Sequence, residues 1–101
     1  CIPCEGGMPP LAPDESMKLH KEVPTWQLMG NRKIQKDFSF RNFKEAMIFI
    51  NHVADIAEAE GHHPDIFVSY NKVHIDLWTH AVKSLSENDF ILAAKIDSIP
   101  L

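Results

Sequence analysis

Cysteine is scarce in this chain of 101 residues: only Cys1 and Cys4 occur, as Cys1-Ile2-Pro3-Cys4. A structural zinc site takes four ligands, and no second cysteine pair exists to complete one. A redox Cys-x-x-Cys opens a helix in a βαβ setting, whereas this one runs into Gly6, Gly7 and several prolines. The two thiols are therefore read as part of an irregular tail over residues 1–13. Positive charge is also short. Ten Lys and Arg against fourteen Asp and Glu give a formal net charge of −4. The basic residues form no stripe, so direct nucleic-acid binding is not expected. No apolar run approaches the roughly 20 residues of a membrane span, and no repeat or low-complexity segment is present. The chain opens on Cys1 rather than Met, so a targeting segment could precede it. A soluble protein of the cytoplasm or an organelle is expected.

The length predicts one domain, over residues 14–101. An apolar content of 45% is ordinary for a globular chain. A domain this small buries limited surface alone, which makes oligomerisation a reasonable expectation.

Histidine is plentiful, with six in all. Residues 65–70 and 73–78 alternate at period two and read as two strands around Asn71-Lys72. A two-residue loop there predicts Tyr70 opposite Val73, Val68 opposite Ile75 and Ile66 opposite Leu77, which makes one face wholly apolar. The other face carries Asp65, Phe67, Ser69, His74, Asp76 and Trp78. The same register sets His63 against His80, with His62 leaning toward the same rim. Directly opposed Cβ atoms lie roughly 4.5–5.5 Å apart. Imidazole, with an unperturbed pKa of about 6.5, suits proton transfer near neutral pH. His62, His63 and His80 are thus the catalytic candidates, for acid–base chemistry on a small molecule at an open sheet face flanked by Trp78 and Phe67. A three-histidine zinc site is the rival reading, and no metal is expected. His20 and His74, taken singly, read as solvated surface residues.

Elsewhere, Asp14 is a good N-cap for a short helix to about Glu22, with Pro24 ending it. A second hairpin turns at Gly30-Asn31, with a three-residue loop pairing Leu28 with Ile34. Ser39 is the expected N-cap of a long helix, with a Phe38–Phe43 staple. Phe43, Ala46, Met47, Ile50, Val53, Ala54 and Ala57 form its apolar face, and Ile48, Phe49 and Ile56 lie off it. Gly61 is its natural stop, so the helix delivers Glu58 and the histidine pair to one corner. Ser86-Glu87-Asn88-Asp89 opens the last helix, with Asp89 as a capping carboxylate. Helices alternating with hairpins predict an α+β domain in the order α-ββ-α-ββ-α. Its four-stranded antiparallel sheet packs the helices on one face.

The string Glu58-x3-His62-His63-Pro64, then Tyr70, Thr79-His80 and Asp89, resembles the pterin-4a-carbinolamine dehydratase family. The likeness extends through Trp26, Phe38-x-Phe40-x-x-Phe43, Asn71-Lys72-Val73 and Leu85-Ser86-x-x-Asp89, about Trp26 to Asp97. Ser84 stands where the family often has Gly. The resemblance implies a saddle-like sheet, dimers that extend it, and a dimer of dimers joined through helices. It also implies a lyase that dehydrates 4a-hydroxytetrahydrobiopterin to quinonoid dihydrobiopterin during tetrahydrobiopterin recycling. No cofactor is expected. His62 and His80 would transfer protons and His63 would orient the pterin, or His62 and His63 exchange these roles. Glu58, Trp78, Asp89 and Trp26 are candidates around the substrate. Glu58 either holds an imidazole in its tautomer or simply ends a helix, and Trp26 either walls the site or belongs to the core. The resemblance also carries a second role, as a dimerisation cofactor for a transcription factor through exposed helix surface.

Overall fold

A computed structural model describes residues 12–30, 32–79 and 84–99. The cysteine pair, nearly all of the expected tail and His80 lie outside the described residues. The elements are α1 (Pro13–His20), β1 (Gln27–Met29), β2 (Lys33–Ser39), α2 (Phe43–Glu60), β3 (Asp65–Ser69), β4 (Lys72–Leu77) and α3 (Glu87–Asp97). The four strands form one antiparallel sheet in the order β1-β2-β4-β3. This is the α-ββ-α-ββ-α order read from the sequence.

One sheet face is apolar because β2 and β4 alternate. Ile34, Phe38, Val73, Ile75 and Leu77 are buried against Ala46, Phe49 and Val53 of α2 and Phe90, Leu92 and Ile96 of α3. Phe38, Phe40 and Phe49 form a chain of ring contacts at 4.6 and 5.0 Å between centroids. Phe49 is thus a core residue, while Phe43 and Ala54 of the expected apolar stripe face solvent. Lys95 Nζ lies 3.2 Å from Glu60 Oε2 and ties α3 to the end of α2.

Gly61 takes the left-handed conformation, φ 66°, and ends α2. The first hairpin pairs Leu28 with Ile34, as its three-residue loop requires. The start of α2 differs from expectation. Asn42, not Ser39, is the N-cap, its Oδ1 accepting the Glu45 N–H at 2.9 Å. Ser39 is unavailable because it pairs with Lys72 in the ladder. Phe40 then donates its N–H to the Asn71 carbonyl and accepts from the Asn71 amide, both at 2.8 Å. These bonds hold the chain extended past Ser39. With Phe38 buried and Phe43 exposed, no staple forms. In α1, Pro13 takes the first helical position and Asp14 lies inside the helix. Met17 is exposed and Ser16 is the buried residue.

The second hairpin also differs. Its loop is Tyr70-Asn71, with Tyr70 at φ 53°, and Ser69 pairs with Lys72. Lys72 cannot sit in the loop because it is in register with both Ser39 and Ser69. Val68 therefore faces Val73, and Ile66 faces Ile75. A shift of two residues leaves every side chain on its expected face. It changes the open end, however: continuing the ladder would set His63 against Trp78, not His80.

Candidate functional site

The site is built where the end of α2, the start of β3, the end of β4 and the start of α3 meet. The left-handed turn at Gly61 reverses the chain, and the His62 N–H donates to the Ala57 carbonyl at 3.2 Å. His62 is directed into the protein and is only 5% exposed. Its Nε2 lies 2.6 Å from Oδ1 of Asp89, a carboxylate with no exposed surface. The other oxygen, Oδ2, accepts from the Thr79 hydroxyl and the Ser86 N–H, each at 2.9 Å. The Ser86 hydroxyl is 2.6 Å from that of Thr79.

Asp89 therefore caps α3 and holds His62 at once, so one carboxylate is both the expected cap and part of the site. A buried carboxylate is stable only when such donors surround it. An imidazole donating from Nε2 has Nδ1 as its basic nitrogen in the neutral form, so the carboxylate selects a tautomer.

The adjacent histidine has the opposite setting. His63 is exposed, and its Nε2 lies 3.0 Å from Oε1 of the equally exposed Glu58 on the last turn of α2. Each described histidine of the candidate set thus has a carboxylate partner, one buried and one in water. Trp78, half-buried just beyond β4, donates Nε1–H to Oδ2 of Asp65 at 2.9 Å.

Trp26 is not brought to this corner. It is 1% exposed in the core, meets Phe38 edge-on at 6.2 Å, and donates Nε1–H to Oδ1 of Asp97 at 3.0 Å. Asp97 ends α3, the opposite end of the helix from Asp89.

Three participants were missed in the sequence: Asp65, and the hydroxyls of Thr79 and Ser86 as partners of Asp89. The available signal for Asp65 was its place on the same strand face as Trp78. His74, read as a solvated residue, is held between two carboxylates. Nδ1 donates to Asp37 and Nε2 to Asp76 at 2.9 Å. The Asp37 bond, aided by Asp76, raises the His74 pKa above its usual value. Phe67, expected beside the site, instead lies 5.9 Å from the His74 ring. An open cleft of about 410 Å³ is lined there by Asp37, Ser39, Phe67, Ser69, Lys72 and His74, among others. That cleft lies at the turn end of the hairpin, away from His62 and Asp89. Among the described residues, no group of three or more His, Cys, Asp or Glu could hold a metal ion. No helix among them is long and apolar enough to cross a membrane.

A family model described as pterin 4 alpha carbinolamine dehydratase matches residues 9–99. The chain belongs to this family. A Nitrosospira multiformis protein named as a candidate pterin-4-alpha-carbinolamine dehydratase is 50% identical over 99 residues, covering 98% of this chain and 87% of the relative. A relative from Rubrobacter xylanophilus with the same name is 40% identical, covering 98% of this chain and 92% of its own. The crystal structure of a Brucella melitensis transcriptional coactivator/pterin dehydratase superposes with a TM-score of 0.81 at 31% identity, covering 87% of this chain and 95% of that one. A pterin dehydratase-like protein identified as a RuBisCO assembly factor in the alpha-carboxysome gives 0.63 at 25% identity, covering 73% and 87%.

Proposed function

We propose that this pterin carbinolamine dehydratase family member dehydrates 4a-hydroxytetrahydropterin, 4a-hydroxytetrahydrobiopterin in tetrahydrobiopterin recycling, by histidine acid–base catalysis. The observation that carries the reading is the 2.6 Å bond between His62 Nε2 and the buried Asp89 carboxylate. It supplies an imidazole of fixed orientation and tautomer.

In the reaction the C4a–O bond breaks and the N5–H proton is lost. An imidazolium protonates the departing hydroxyl, so that oxygen leaves as water. A neutral imidazole takes the N5 proton, and the N5 electron pair forms the C4a=N5 bond of the quinonoid product. Two imidazoles of opposite protonation suffice, each contributing typically 10²–10⁴-fold. His62 and His80 take the proton-transfer roles. His63, held by Glu58, binds and orients the pterin, and Trp78 walls the ring. No redox or nucleotide cofactor enters the balance.

An absorbance assay on freshly generated 4a-hydroxytetrahydropterin tests this. The His62→Ala, His80→Ala double variant should lose nearly all catalysis. Near-full activity in it would remove the reading.

A second role, as a protein-binding module such as a dimerisation cofactor for a transcription factor, is supported by exposed Ile48 and Phe43 on α2. The Brucella relative's description as a coactivator points the same way. A homodimer or homotetramer is proposed on the same apolar helix surface and on the outer strand β3 with its turn, where Val68 and Tyr70 are exposed. Introducing a charge by Ile48→Glu, with sizing by light scattering, tests that assembly; an unchanged mass would exclude the helix contact.

A further inference from the structure

The ladder places Asp65 directly opposite Asp76 on the outer face of the sheet. Like charges at directly opposed positions disfavour a sheet. Asp76 is matched by His74 at 2.9 Å and by Lys33 at 3.5 Å. Asp65 has a different use: its Oδ2 accepts the indole N–H of Trp78 at 2.9 Å. Trp78 is the diagonal neighbour of Asp65 across the two strands, a span that long side chains bridge.

The bond links the two strands beside the candidate site. Asp65 stands two residues after His63. Trp78 immediately precedes Thr79, whose hydroxyl donates to the same Asp89 that holds His62. An indole has two torsions, and one N–H bond to a charged acceptor fixes its edge and hence the direction of its face.

We propose that Asp65 is a positioning residue, holding the Trp78 indole as a fixed wall on which a planar fused heterocycle stacks beside His62 and His63. The proposal rests on the reading of this corner as a pterin site. It assigns to Asp65 a part in substrate binding and none in proton transfer, so its signature is in KM rather than kcat.

Asp65→Ala should raise KM for 4a-hydroxytetrahydropterin by roughly three- to tenfold with kcat changed less than about twofold, the scale of one hydrogen bond. Asp65→Asn, whose amide oxygen still accepts the indole N–H, should restore KM. Trp78→Phe removes the donor, so adding Asp65→Ala to it should change KM no further. A wild-type KM in Asp65→Ala, failure of the Asn rescue, or multiplying effects in the double variant would each overturn the proposal. Titration with a stable 7,8-dihydropterin, read by tryptophan fluorescence, separates this from the dehydratase reading. Trp26 is the other tryptophan and is buried in the core. Quenching that disappears in Trp78→Phe and weakens in Asp65→Ala supports the wall even without turnover, in which case the dehydratase reading falls alone. Turnover with unaltered quenching in Trp78→Phe overturns the wall and leaves the dehydratase. Absence of both binding and turnover overturns both.

Discussion

Asp89 Oδ1 lies 2.6 Å from Nε2 of His62, although 27 positions separate them in the chain. The same carboxylate closes the first turn of α3 through the Ser86 N–H. A helix start and a candidate catalytic group are thereby one structure. Substitution at position 89 should move folding and chemistry together, but by separable mechanisms.

Asp89→Asn tests that separation. The amide keeps the shape and one acceptor oxygen, but presents an N–H where His62 or Thr79 now donates. Donors then face each other, and the imidazole tautomer is no longer selected. Dehydratase kcat should fall about 10²–10⁴-fold. Loss of one buried bond should cost about 1–3 kcal/mol in stability. Kinetics beside chemical denaturation would read both, and a kcat near wild type would show that the carboxylate only caps the helix.

His74 gives a pH signature in stability. Asp37 first, then Asp76, hold its pKa above the ordinary 6.5. A group whose pKa is higher folded than unfolded stabilises fully below the unfolded value, and loses that contribution as pH rises through the folded value. The Tm advantage of wild type over His74→Ala should therefore be largest near pH 6 or below and shrink as pH climbs above about 6.5. Thermal scans of both proteins across that window would show it. An advantage that grows with pH would mean that the His74 ring is not held as an imidazolium.

The turn of the second hairpin makes a third prediction. Tyr70 adopts φ 53° and is 64% exposed. A left-handed residue with a Cβ costs roughly 1–2 kcal/mol, and glycine offsets part of any relief through its own unfolded-state entropy. Tyr70→Gly should thus stabilise by about 0.5–1 kcal/mol. Asn71→Ala should destabilise by about 1 kcal/mol, because its amide no longer bonds the Phe40 carbonyl. Equilibrium urea unfolding separates the signs; a neutral Asn71→Ala would leave the displaced start of α2 without its explanation.

These two residues also show why the sequence was legible in some places and not others. Gly61 and the Leu28–Ile34 pairing follow from local turn chemistry, and both occur as read. Burial parity was equally plain, since alternation assigns a face whatever the register. The observed loop is one residue earlier than the sequence predicts because Lys72 is claimed from outside the hairpin by Ser39 of β2, and it then pairs with Ser69 inside it. No local signal carries that information. The bond of His62 to Asp89 is similar: capping chemistry places Oδ2, but only the packing of α3 against the end of α2 aims Oδ1 at the imidazole.

Trp26 decides between a core residue and a wall of the site. Its indole is buried, bonded to Asp97 at 3.0 Å, and at the far end of α3 from Asp89. Lys36 Nζ also donates to Asp97 Oδ1 at 2.9 Å, so the carboxylate keeps a partner when the indole N–H is removed. Trp26→Phe should then cost the loss of one hydrogen bond and some packing volume, about 1–3 kcal/mol, without leaving a buried charge unpaired. Because the ring is anchored at the end of α3 opposite to the His62–Asp89 bond, KM for the hydroxypterin should stay within about twofold of wild type. A lowered Tm with unchanged KM is the expected pair of results. A raised KM at wild-type stability would instead move Trp26 from the core to the substrate.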